Sequence, residues 1–142
     1  MSYAITRAAD AGAAYNSIWM PLLTFNRDTV GDADGIPFAL TLTAGDDPKI
    51  AGGLWAHSLW GTFYIALVVV PAEARGQGLG KALMQQAEAE ARLLGCRQMW
   101  LDTYAFQARA FYERLGFSVF GQIDGPPPVF PRFFMQKMLA AE

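Results

Sequence analysis

One cysteine and one histidine stand in a chain of 142 residues, and each scarcity closes off a class of chemistry. Cys96 has no partner for an internal disulfide, so the fold must rest on a packed core. A lone histidine and a lone cysteine cannot build the usual zinc site, so no metal is expected. Charge is sparse as well: 17% of residues are charged and the net charge is -2, which leaves no general positive field for nucleic acid. Long hydrophobic runs are missing. The longest, residues 63–72, contains Tyr64 and Pro71 and reaches about half of the roughly 20 residues that a membrane-crossing helix needs. Neither nucleic acid nor membrane is therefore an expected partner. The opening residues, MSYAITRAAD, lack the basic segment and apolar stretch of a secretory signal. The expected location is a reducing cytoplasm.

What is present is apolar. Hydrophobic residues make up 53% of the chain, so the low-hydrophobicity signature of disorder is absent. The length suits one domain, expected over residues 1–142, burying roughly 70% of the surface its unfolded form exposes. Charge is unevenly spread. Residues 1–74 carry 3 basic and 7 acidic side chains and residues 75–142 carry 8 basic and 6 acidic, so an anionic ligand should prefer the C-terminal half.

Turn formers in residues 31–35 and 44–48 predict loops. Between and after them, residues 38–43, 49–57 and 62–70 are rich in β-branched and aromatic side chains and predict consecutive antiparallel strands. Residues 3–7 predict a further strand, followed by a helix from about Asp10 to the loop at Gly31. Gly52 and Gly53 interrupt a strand, which predicts a bulge or a close approach of backbone. After Pro71 the period changes. Leu79, Leu83, Ala87, Ala91 and Leu94 recur at helical spacing, with Gly95 placed to cap the helix in a left-handed conformation. Residues 97–103 read as a strand, Ala108, Phe111, Tyr112 and Leu115 as a second helical stripe stopped by Gly116, and residues 117–123 and 132–139 as closing strands. The order is β α β β β α β α β β.

The densest chemical signal is VVVPAEARGQGLGKAL, a strand that enters a helix through Arg75, Gly76, Gln77, Gly78, Leu79, Gly80 and Lys81. A helix start offers unpaired N–H groups and partial positive charge, and glycines let an anion approach them, so the loop predicts phosphate binding. It is not a Walker loop, because Arg75 stands where the first glycine belongs and Ala82 where Ser or Thr belongs. Neither is it a dinucleotide fingerprint, since Lys81 and Leu83 stand where either register requires glycine.

What remains, Arg75-x-x-Gly78-x-Gly80 between strand and helix, resembles the GNAT superfamily of N-acetyltransferases, in which such a loop cradles the pyrophosphate of acetyl-CoA. WLDTYAFQARAFYERLGF, residues 100–117, is similar to the second motif of that family. The resemblance implies a small single-domain bacterial-type member with an α/β (α+β) fold. Its sheet would be mixed, mostly antiparallel and twisted, with six to seven strands flanked by helices and strand four splayed from strand five. It further implies acetyl-CoA as co-substrate, transfer to a primary amine of a small molecule or peptide by direct attack in a ternary complex, and no metal; a homodimer stays open.

By the same resemblance, Val68, Val69 and Val70 present backbone groups to the thioester carbonyl, residues 75–81 hold the pyrophosphate, and Tyr112 gives a proton to the departing thiolate. Tyr112 also lies on an apolar stripe, and a tyrosine can bury its ring while its hydroxyl reaches a polar site. Many family members carry Asn where this chain has Ala105, and Gln107 or Arg109 are the candidates to replace that cofactor contact. For a base, the candidates are His57, with an intrinsic pKa near neutrality, Glu73 acting through water, and solvent itself. Cys96 reads as a small buried hydrophobe, and Trp19 and Phe25 as candidate walls of an acceptor pocket. The alternative to an enzyme is a non-catalytic acyl-CoA binding or sensing module, which Ala105 favours. A third reading is an interaction domain whose loop binds another phosphorylated ligand.

Overall fold

The computed structural model describes residues 1–32 and 35–140. Residues 33 and 34 of the expected 31–35 loop lie outside the described residues. The chain divides into two compact units, residues 1–33 and 34–142.

The first unit holds one helix, α1 (Ala11–Val30). It starts where Asp10, in extended conformation, accepts a hydrogen bond from the Ala13 N–H at 3.0 Å, and it ends at Gly31, whose N–H donates to the Arg27 carbonyl. The strand expected over residues 3–7 does not form. A five-residue extended segment is stable only when a neighbouring strand completes its hydrogen bonds, and no strand among the described residues pairs with it.

The second unit is a six-stranded sheet: β1 (Ile36–Thr43), β2 (Ile50–Leu59), β3 (Thr62–Val69), β4 (Gln98–Tyr104), β5 (Ser118–Ile123) and β6 (Arg132–Met138). The spatial order is β1-β2-β3-β4-β6-β5, with every neighbouring pair antiparallel except β3–β4. Trp60 and Gly61 close the β2–β3 hairpin, both at positive φ, as a two-residue turn that follows the strand twist requires. The parallel β3–β4 step runs through α2 (Leu79–Leu93). A short α3 (Arg109–Arg114) follows β4. Among the described residues, no helix is long and apolar enough to cross a membrane.

One face of the sheet carries the core. Alternation along β2, β3 and β4 buries Leu54 and Ala56, Phe63 and Ile65, and Met99 and Leu101, against Leu83, Met84, Ala87 and Ala91 of α2. The fully buried alanines let helix and sheet approach closely, and truncating a packed residue such as Leu83 to Ala would cost about 2–5 kcal/mol. Gly95 caps α2 at φ 75, the expected left-handed cap, and Cys96 is buried behind it. Glu88 links α2 to β6 by accepting a hydrogen bond from Lys137 at 2.7 Å.

Candidate active site

The parallel ladder between β3 and β4 is short: it pairs Thr62 with Gln98, Phe63 with Met99 and Tyr64 with Trp100, then stops. Beyond Tyr64 the register of β3 against β2 slips by one residue, leaving Ala66 as a bulge. Gly52 and Gly53 sit opposite this stretch, where a Cβ would run into the Val69 and Leu40 carbonyl oxygens, so the expected close approach is real. In an antiparallel ladder half the backbone groups point away from the partner strand. Over residues 65–69 those groups meet a cleft instead of β4.

This cleft, of about 890 Å³, runs between the parted strands to the start of α2. A 3-10 turn (Ala72–Ala74) carries the chain out of β3, and the Arg75 Nε–H donates to the Val70 carbonyl at 3.2 Å, tying the loop to the strand it leaves. Gly76 and Gly78 have φ of 80 and 77, a conformation that favours glycine, and Gly78 is the N-cap of α2. The Ala82 N–H is satisfied by the Gly78 carbonyl, which leaves the N–H groups of Leu79, Gly80 and Lys81 without an intrahelical partner at the cleft end. Gly80 has no room to spare, because a Cβ there would stand 3.2 Å from Cζ of Phe111. A helix end with three open N–H groups and no acidic side chain in its first turn is a site for an anion.

The opposite wall comes from β4, α3 and the turn between them. Thr103 and Gln107 build that turn: Gln107 Oε1 accepts the Tyr104 N–H at 2.7 Å and the Thr103 hydroxyl at 3.3 Å, while Thr103 Oγ1 accepts the Ala108 N–H. Tyr112 lines the cleft from α3, its ring packed on Phe111 and Phe117 at centroid distances of 5.1 and 6.1 Å. Burial, and secondly the negative charge of Asp102, raise its hydroxyl pKa above 10.0, so it keeps its proton at neutral pH.

The comparisons with known proteins agree with this geometry. The model of the acetyltransferase (GNAT) family matches residues 5–117. The acetyltransferase Atu2258 of Agrobacterium fabrum is 36% identical over 126 residues, covering 89% of this chain and 90% of that protein. The blasticidin-S acetyltransferase of Streptomyces morookaense is 37% identical over 108 residues, covering 75% and 79%. A crystal structure of an acetyltransferase from Agrobacterium tumefaciens superposes with a TM-score of 0.85 at 32% identity, covering 98% of this chain and all of the other. The chain belongs to the GNAT acetyltransferase family. It is an acetyl-CoA-dependent enzyme that acetylates an amine.

For a GNAT enzyme the expected site residues divide into two groups. Val68, Val69, Val70, Arg75, Gly76, Gly78, Leu79, Gly80, Lys81, Gln107 and Tyr112 all line the cleft. Gln77, Arg109, Glu73 and His57 are not among its lining residues. Arg109 is paired with Glu113 at 2.9 Å and lies over the Phe133 ring. Glu73 sits in the 3-10 turn, and the His57 ring packs between Trp55 and Tyr64 on the sheet face away from α2. Trp19 and Phe25 are on α1, in the first unit. The sequence reading missed Asp102, Phe106, Phe111 and Arg114, all of which line the cleft. Phe111 and Arg114 stand in the FYER stretch already singled out, whereas Asp102 is one polar residue in a strand whose alternation does not say which face opens on a cleft.

Proposed function

We propose that this enzyme acetylates a primary amine of a small molecule or peptide by direct attack, with acetyl-CoA and acceptor held together in the cleft. Residues 1–142 act in this reading as one N-acetyltransferase domain, supported by a family match that runs through both units. The observation that carries it is the parting of β3 from β4 onto the open N–H groups of Leu79, Gly80 and Lys81. These suit a long ligand with a diphosphate at one end, so the residues present fit acetyl-CoA.

Acetyl-CoA supplies the acetyl group as a thioester. The loop from Gly76 to Gly80 and the first N–H groups of α2 hold its pyrophosphate, with Gln77 and Lys81 beside it. The main chain of Val68, Val69 and Val70 orients the carbonyl and polarises it through N–H donation. The Tyr112 hydroxyl, protonated at neutral pH, gives its proton to the thiolate as the C–S bond breaks. Arg75, Gln107 and Arg109 act by positioning, since each already bonds within the protein, to Val70 just past the end of β3, to Tyr104 of β4 and to Glu113 of α3. A base role for His57 or Glu73 would need a chain of water into the cleft, since neither lines it, and solvent is the proton acceptor in this reading.

A small-molecule acceptor is supported by the likeness to the blasticidin-S acetyltransferase. A cytoplasmic location belongs to the same proposal, supported by the dependence on acetyl-CoA. The deciding experiment is release of CoA thiol from acetyl-CoA across a panel of amines. Amine-dependent release is expected, and a protein that binds acetyl-CoA yet releases no thiol with any amine would overturn the reading.

A further inference from the structure

The charge of the cleft is mostly positive. Three of its lining side chains are cationic, Arg75, Lys81 and Arg114, and among the described lining residues Asp102 is the one acid. A carboxylate does nothing to hold a ligand as anionic as acetyl-CoA, and although Arg132 already pairs with it, one of its oxygens keeps room for a second donor.

Asp102 is held still. Leu101 and Thr103, each 2% exposed, point to the core, so Asp102 projects from the other face of β4. Its Oδ2 accepts the Arg132 guanidinium from β6 at 2.7 Å, and its Oδ1 accepts the Tyr64 hydroxyl from β3 at a long 3.3 Å. Oδ2 is thus committed, while Oδ1 keeps acceptor capacity and already has its direction fixed, which lowers the ordering cost of binding a donor. The surroundings are aromatic. Tyr64 stacks on Trp100 at 4.1 Å, Tyr104 stacks on Phe106 at 5.4 Å, and Phe106 lines the cleft. Such rings offer their faces to a cation, as Tyr104 already does to Arg132 at 5.3 Å.

We propose that Asp102 Oδ1 receives the acceptor as its ammonium ion, with Phe106 backed by Tyr104 as the flat wall for an aromatic or planar body. This rests on the acetyltransferase reading of the cleft and adds a substrate class: alkylamines carrying a ring, which are cations at neutral pH, in preference to arylamines, which are not. The role assigned to Asp102 is docking alone.

Tryptamine and its neutral analogue indole-3-ethanol serve as probes, titrated by calorimetry into the enzyme saturated with CoA. Wild type should bind tryptamine at least tenfold more tightly than indole-3-ethanol. Asp102→Asn should lose at least tenfold in tryptamine affinity while binding indole-3-ethanol and CoA within about twofold of wild type. Equal tryptamine affinity in wild type and a folded Asp102→Asn protein overturns the proposal. Equal affinity of wild type for the two probes, or no tryptamine binding to the CoA-loaded enzyme, overturns it without any variant. A wild type that fails to bind CoA in the first titration would instead bring down the acetyltransferase cleft, and this inference with it.

Discussion

The wall that β3 and the glycine loop give to the cleft offers main-chain groups, whereas the wall from β4 and α3 offers the side chains of Asp102, Phe106, Tyr112 and Arg114. The two therefore fail in different ways. A backbone wall tolerates many side-chain changes but not the loss of space, because its N–H groups work only if a ligand can reach them. A side-chain wall tolerates crowding better and is sensitive to the removal of one atom.

The largest break should come on the backbone side, at Gly80. A Cβ there already meets Cζ of Phe111 at 3.2 Å, so the branched chain of Val must displace either that ring or the ligand. Gly80→Val is expected to weaken acetyl-CoA binding at least 100-fold, about 2.7 kcal/mol. It should also lower the melting temperature through Phe111. Calorimetric titration of the folded variant checks this, and unchanged affinity would remove the loop from the site.

The next break is on the side-chain wall. Tyr112→Phe keeps the ring against Phe111 and Phe117 and removes one oxygen. Turnover should fall at least tenfold, about 1.4 kcal/mol of barrier. Acetyl-CoA affinity and melting temperature should stay near wild type. Since burial and the charge of Asp102 raise this hydroxyl above 10.0, loss of its proton should not limit turnover at any lower pH. A variant with wild-type turnover, where chemistry limits the rate, would return Tyr112 to a purely structural place.

How much of each wall could be read from the chain follows from the same contrast. A backbone wall leaves a mark, because φ near 80 at positions 76 and 78 and the crowded place beside Phe111 all favour glycine. The spacing of those glycines between a strand and an amphipathic helix was therefore readable. The six strands of the sheet were legible too, the first three from runs of β-branched and aromatic residues bounded by turn formers. Asp102 was not, because a carboxylate in a strand looks the same on a solvated face as on the rim of a cleft. Its role depends on where β3 parts from β4, a tertiary event. The opposite error was residues 3–7, read as a strand although no strand among the described residues pairs with them.

A smaller effect would sharpen the division. Lys81 and Arg114 line the cleft from the two walls and are both exposed, so each acts on an anion mainly through screened charge. Lys81→Ala and Arg114→Ala should each weaken acetyl-CoA binding about threefold, the size expected of exposed charge pairs. The double variant should show a flatter dependence of affinity on salt. Equal salt slopes for wild type and double variant would mean that neither cation faces the ligand.

The smallest expected effect lies outside the cleft and tests whether the walls can be separated from the scaffold behind them. Glu88 of α2 accepts hydrogen bonds from Lys137 of β6 at 2.7 Å and from Arg92 at 2.9 Å, with 23% of its side chain exposed. Partial burial works to raise its carboxyl, but the hydrogen bonds from Lys137 and Arg92, helped by their charges, outweigh it and leave the pKa below 4.5. A carboxyl lowered on folding adds stability that is fully present above its unfolded value and disappears as pH falls through the folded one. Glu88→Gln should therefore cost about 1 kcal/mol at neutral pH, roughly 3 °C in melting temperature for a domain of this size. That difference should shrink towards zero as pH falls below 4.5, since wild-type Glu88 then becomes neutral as well. Acetyl-CoA affinity should not change, because Glu88 is not among the residues lining the cleft. A stability gap that stays constant into acid would show that the Glu88→Gln change disturbs packing rather than an ion pair, and a loss of acetyl-CoA affinity would show that the tie from α2 to β6 sets the position of the glycine loop.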